Sequence, residues 1–169
     1  METALEHILT HAHKPAIASY LDAHPNELEA AVQLAVSDKQ PYAWRAGWFL
    51  WSYLKLNDQK IKGQLQKILD VLAIRPAYQQ RELLKILLLM DLDEKQEGPV
   101  LDLCVRIWRE ISQKPSVRLT AFKMMVKIGK KSPELSKEVF RLSRNPYLEA
   151  LSPTARRAIA RLIQELKIQ

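Results

Sequence analysis

The sequence predicts an all-α fold of stacked helix pairs, for three reasons. Pro115 to Lys131 (PSVRLTAFKMMVKIGKK) carries apolar residues at helical spacing on two sides. Val117, Ala121, Met124, Met125 and Ile128 make one face, and Leu119, Phe122 and Val126 make another. A surface helix has one apolar stripe, so a helix with two is packed between neighbours. Second, proline-led stretches of the same kind open at Pro41, Pro76 and Pro153, so the four starts lie 35 to 39 residues apart. That period belongs to helical repeat arrays, whose units bury their apolar faces only against one another. Third, the chain has four glycines and no run of alternating apolar and polar residues, which argues against a sheet.

At 169 residues the length fits one domain. Residues 1–24 read as cap helices, followed by repeat units at about 25–57, 58–93, 97–131 and 132–169. Glu2 to about Ala12 is a short helix with Leu5, Ile8 and Leu9 inward, and Pro15 separates it from a second running to Ala23. Pro25-Asn26-Glu27 opens the next helix, to about Val36. Its partner runs from Tyr42 to Leu56 and holds Trp44, Trp48 and Trp51 at i, i+4 and i+7, bordered by Arg45, Ser52 and Lys55. Asn57-Asp58 caps the third pair, in which Ile61, Leu65, Ile68, Leu69 and Leu72 point inward. Pro76 starts a second helix that is apolar almost all round from Leu83 to Met90, with a polar strip of Tyr78, Arg81, Glu82 and Lys85. Asp91 to Pro99 reads as an acidic, flexible connector before a helix from Val100 to Ile111. The Pro115 helix follows, with Lys123, Lys127 and Lys130 as its polar strip. Ser132-Pro133 and Ser152-Pro153 open the last two helices. The final one has a single apolar face of Ala155, Ala158, Ile159, Leu162, Ile163 and Leu166, as a terminal repeat requires.

Pro115-Ser116-Val117-Arg118-Leu119-Thr120-Ala121, closed by Ile128-Gly129, resembles the second-helix signature of a HEAT repeat. Arg45 and Arg156 are counterparts of Arg118, whereas the Pro76 unit has no Val-Arg pair. The resemblance implies a right-handed α-solenoid of about four helix pairs, with the second helices lining a concave surface. On that surface Arg81, Lys85, Lys123, Lys127, Lys130, Arg157 and Arg161 would share one basic groove.

Charge points the same way. The net charge of +7 divides into −3 for residues 1–58, +1 for 59–113 and +9 for 114–169. Such asymmetry suggests an acidic partner. The tryptophan stripe with Arg45 reads first as a seam between helices and second as a grip for a partner's side chains. No catalytic constellation emerges and no cofactor is implied. Cys104, among Leu101, Leu103 and Val105, reads as a buried inert thiol. His7 and His11 share a helical face, but His7-Ile8-Leu9-Thr10-His11 is not the HExxH pattern, and exposed cap histidines without a metal are expected. A single cysteine, no apolar leader and no spanning run predict a cytoplasmic protein away from membranes. The expected function is a non-catalytic scaffold that holds a protein partner on the basic face or the tryptophan helix. The alternative is nucleic-acid binding, since bacterial DNA-alkylation-repair glycosylases with HEAT-like repeats are similar in their basic concave face. Glu82 is the only carboxylate on the Pro76 strip, so base excision is not expected.

Overall fold

Helix starts follow the capping chemistry of the sequence. Thr3 and Glu6 form a reciprocal capping box at the first helix, Ser132 accepts from the Leu135 amide, and Ser152 accepts from the Ala155 amide. The computed structural model describes residues 1–168, and among them there are ten α-helices and no strand. The chain divides into two compact units, Met1–Asp91 and a second that begins at Leu92.

The first unit contains α1 (Ala4–His11), α2 (Lys14–Ala23), α3 (Leu28–Val36), α4 (Tyr42–Tyr53), α5 (Leu65–Leu72) and α6 (Ala77–Leu88). Turns of 3-10 helix at Pro25–Glu27 and Gln59–Gln64 lead into α3 and α5. Helix α4 is the hub: it packs on α3, α6, α1 and α2. Its buried side is small and apolar, with Ala43, Ala46, Gly47, Phe49 and Leu50. Gly47 permits close approach, because a Cβ there would lie 3.0 Å from Glu82 Cβ of α6.

The second unit contains α7 (Glu94–Arg109), α8 (Pro115–Gly129), α9 (Pro133–Arg141) and α10 (Pro153–Ile163). Helix α8 packs on α7, α9 and α10, as its two apolar sides require. Both predicted faces are buried except Leu119, which is half-exposed. On α10, by contrast, only Ile159 is fully buried.

Two expectations are corrected. Asp91 to Pro99 is not a flexible connector, because α7 already starts at Glu94. Asp93 and Gln96 form a capping box, Glu94 and Glu97 sit favourably in the first turn, and Val100, Leu103, Cys104, Ile107 and Trp108 bury the helix. These gains outweigh the cost of Gly98 and of Pro99, which has no amide to donate. Glu82 does not belong to a solvated polar strip either: it is 2% exposed.

A shared device ties backbone carbonyls of helix ends and turns to the second helices. Arg118 of α8 is fully buried, donating from Nε to the Trp108 carbonyl (2.9 Å) and from Nη2 to the Tyr147 carbonyl (2.6 Å). Arg45 donates to the Leu9 and Ala12 carbonyls at the end of α1, and Arg156 to the Leu151 and Glu149 carbonyls. In the Pro76 unit Gln79 takes this role, donating from Nε2 to Ala35 (2.9 Å) and Ser37 (2.7 Å) at the end of α3. Gln79, like Arg118 and Arg156, stands three residues after its proline. Carbonyls at a helix C-terminus lack intrahelical donors, and Arg45, Gln79 and Arg118 supply them, whereas Arg156 serves the turn before its own helix.

Candidate functional site

The three tryptophans of α4 are half-buried, with Trp48 and Trp51 set against side chains of α2 and α6. The inward face of α4 is filled by alanine, glycine, phenylalanine and leucine, so the indoles lie along its flank. Trp44 and Trp48 stack with ring centroids 6.1 Å apart. Cations cover the rings in alternation. The Arg45 guanidinium lies 4.3 Å from the Trp48 centroid and 5.9 Å from that of Trp44. Lys14 Nζ lies 4.3 Å from Trp48 and 4.6 Å from Trp51, and Lys85 Nζ lies 4.4 Å from Trp51. Ring quadrupoles attract each cation and hold long side chains in fixed positions.

Three helices build this ladder. Arg45 is set by its two carbonyl bonds to the end of α1. Lys14 is the first residue of α2, a position where the helix dipole disfavours a cation, so its contacts with the indoles offset that cost. From α6 come Lys85, Arg81 and Glu82. Trp51 Nε1 donates to Glu82 Oε2 at 2.6 Å, and Arg81 donates to Glu82 Oε1 at 2.9 Å from Nη2 and 3.0 Å from Nε. The carboxylate of Glu82 is thereby engaged on both oxygens and buried, which suits it to orienting Trp51 and Arg81 rather than to meeting a ligand.

Sequence reading found Trp44, Trp48, Trp51, Arg45, Arg81 and Lys85, and the fold brings these together around α4. It missed Lys14, whose signal was a cation at a helix start, and it missed the burial of Glu82, signalled by Gly47 opposite. The remaining predicted basic residues lie in the second unit. Lys123 and Lys130 of the α8 segment are exposed, Lys127 is half-buried, and Lys130 pairs with Glu165 at 3.3 Å. Arg157 and Arg161 are exposed one turn apart on α10. The first unit has ten Lys/Arg against ten Asp/Glu, whereas residues 92–169 have sixteen against nine, so the second unit holds the whole +7.

Cys104 is buried, and burial pushes its thiol pKa up to about 12, which disfavours the thiolate at neutral pH. Among the described residues no helix is long and apolar enough to cross a membrane.

A family model described as HEAT repeat domain matches residues 1–166. No curated protein and no solved structure gives a significant match. The match spans the cap helices as well as all four proline-led second helices, and the Arg118 signature lies inside it. The chain belongs to the HEAT repeat family.

Proposed function

We propose that the protein is a non-catalytic binding module whose helix pairs are solenoid-type repeats, and that it holds an acidic segment of another polypeptide on the flank of α4. The observation that carries this reading is the half-exposed ladder of Trp44, Trp48 and Trp51 interleaved with Lys14, Arg45 and Lys85. Tryptophan and arginine are the side chains that most often dominate protein interfaces, and here both are fixed before binding, which reduces the ordering cost. The ring faces of Trp48 and Trp51 are occupied by the protein's own cations. Stacking of nucleic-acid bases needs such faces open, whereas a carboxylate needs the cations themselves. Family membership supports a binding role, and the fully engaged Glu82 gives no support to base excision.

The test is a titration of an acidic peptide containing leucine or phenylalanine, followed by tryptophan fluorescence at low and near-physiological salt. Binding that survives moderate salt and is lost in Trp48→Ala and Arg45→Ala supports the reading. Equal binding by wild type and both variants overturns it. A second reading, nucleic-acid binding, draws on the +7 of the second unit and on exposed Lys123, Lys130, Arg157 and Arg161. Its signature is an oligonucleotide affinity that falls steeply with salt and is abolished by Lys123→Glu with Arg157→Glu.

A further inference from the structure

Glu2, His7 and His11 each offer a ligand atom, and these atoms all lie within 4.8 Å of one another on the exposed face of α1 and the residues before it. Contacts from outside the helix and within it hold Glu2 beside His7. The Tyr42 hydroxyl donates to Glu2 Oε1 at 3.0 Å, which turns Oε2 toward His7, 3.1 Å from Nδ1. One turn further along, the His11 ring stacks on His7 with centroids 4.1 Å apart and planes inclined by 15°. His11 Nδ1 lies 3.0 Å from the His7 carbonyl. With Nδ1 carrying the proton and donating to that carbonyl or to Thr10 Oγ1 at 2.9 Å, the lone pair lies on Nε2. Metal-binding imidazoles use the same arrangement, with the far N–H held by a carbonyl or carboxylate.

We propose that Glu2, His7 and His11 form a surface site for a divalent cation of the Zn2+ class. Two imidazoles and one carboxylate suit late first-row metals and not Mg2+ or Ca2+, which prefer oxygen donors alone. Tetrahedral ligands at metal distances of about 2.0–2.1 Å lie about 3.4 Å apart, so closure draws the ligand atoms together by about 1 Å and turns the stacked His7 and His11 rings until both in-plane lone pairs meet at the ion. Three protein ligands leave one position for water or for a group on a bound molecule. The ion would join the chain before α1 to both turns of that helix and, through Tyr42, to α4. This site is separate from the tryptophan ladder and stands whether or not that face binds a peptide.

The test is calorimetric titration of the full-length, tag-free chain with ZnCl2 and, separately, MgCl2, with circular dichroism to confirm that each variant is folded. One equivalent of Zn2+ and no Mg2+ should bind to wild type. Affinity should fall at least tenfold in H7A and in H11A, and about tenfold in Tyr42→Phe, which leaves the three ligands in place. The double variant H13A/H24A, altering the other two histidines, should bind as wild type does. Absence of Zn2+ binding, or equal affinity in wild type and folded H7A/H11A, would overturn the proposal.

Discussion

The guanidinium of Arg118 lies 4.5 Å over the ring of Trp108 while its Nε donates to that same residue's carbonyl at 2.9 Å. Trp108 Nε1 in turn donates to the Leu142 carbonyl at 2.7 Å. One side chain thus joins the end of α7, the start of α8 and the segment before α10, and among the described residues no carboxylate pairs with it. Burial alone holds the Arg118 pKa below its ordinary value. Lysine at this position keeps the charge but lacks the planar fork and the stacking surface. Arg118→Lys is expected to destabilise by about 3 kcal/mol, and Arg118→Met by less, because methionine leaves no charge to desolvate. Urea denaturation of both variants gives the order, and a reversed order would show that charge itself is needed.

Gln79 does with a neutral amide what Arg45 and Arg118 do, donating to carbonyls at a helix end. Gln79→Ala strips the donor from the Ala35 and Ser37 carbonyls and is expected to cost about 1–3 kcal/mol. Gln79→Arg should recover part of that loss, since arginine serves the equivalent position elsewhere in the chain. If arginine proves worse than alanine in thermal unfolding, the equivalence fails.

Gly129 ends α8 against α9, and a Cβ there would lie 2.7 Å from Val139 Cγ2 and 3.5 Å from the Leu135 carbonyl oxygen. A branched side chain beside backbone cannot retreat as a flexible tip can. Gly129→Ala should therefore lose about 1–3 kcal/mol through overpacking. Paired with Val139→Ala, the loss should be smaller than the two single losses combined, which a double-mutant cycle measures. Additive losses would mean that the contact relaxes freely.

Tyr53 donates to Asp22 Oδ1 at 2.6 Å, and burial, with that carboxylate, pushes its phenol from 10 up to about 12. The folded pKa is above the unfolded one, so the stabilisation is complete below about pH 10. It is lost as pH rises toward 12, because the unfolded chain gives up the proton first. Unfolding curves across this window should show a falling stability that Tyr53→Phe flattens.

Cys104 offers a check on the interior of the second unit. Its buried thiol should resist a disulfide reagent at mildly alkaline pH in the native chain and react with one equivalent after denaturation. Prompt reaction of the native chain would place the thiol within reach of solvent.

Much of the fold was legible because period and capping agree. Pro115, Pro133 and Pro153 stand at or next to helix starts, and α8 shows both apolar faces that predict a buried helix. What periodicity could not show was which flank of α4 faces inward. Nearly every residue from Trp44 to Trp51 is apolar, so the choice rested on packing: small Ala43, Ala46 and Gly47 let neighbouring helices approach, and the bulky indoles were displaced sideways. Glu82 was misplaced because its spacing matched the polar strip, while its partner, the Trp51 N–H, lies 31 residues away. The start of α7 was obscured by Gly98 and Pro99, although the Asp93/Gln96 capping box was present in the letters. Glu2 meets His7 directly, but the hydroxyl that holds its other oxygen belongs to Tyr42, 40 residues along the chain.

The placement of the indoles has a practical side. Three of the four tryptophans stand on one flank of α4 in the first unit, next to charged groups, and the fourth, Trp108, is sealed inside the second. Each unit therefore carries its own optical label. With Trp108→Phe, emission reports the first unit alone; with the three α4 positions changed to phenylalanine, it reports the second alone. The order in which the two units melt can be read from one natural chain without attaching a dye.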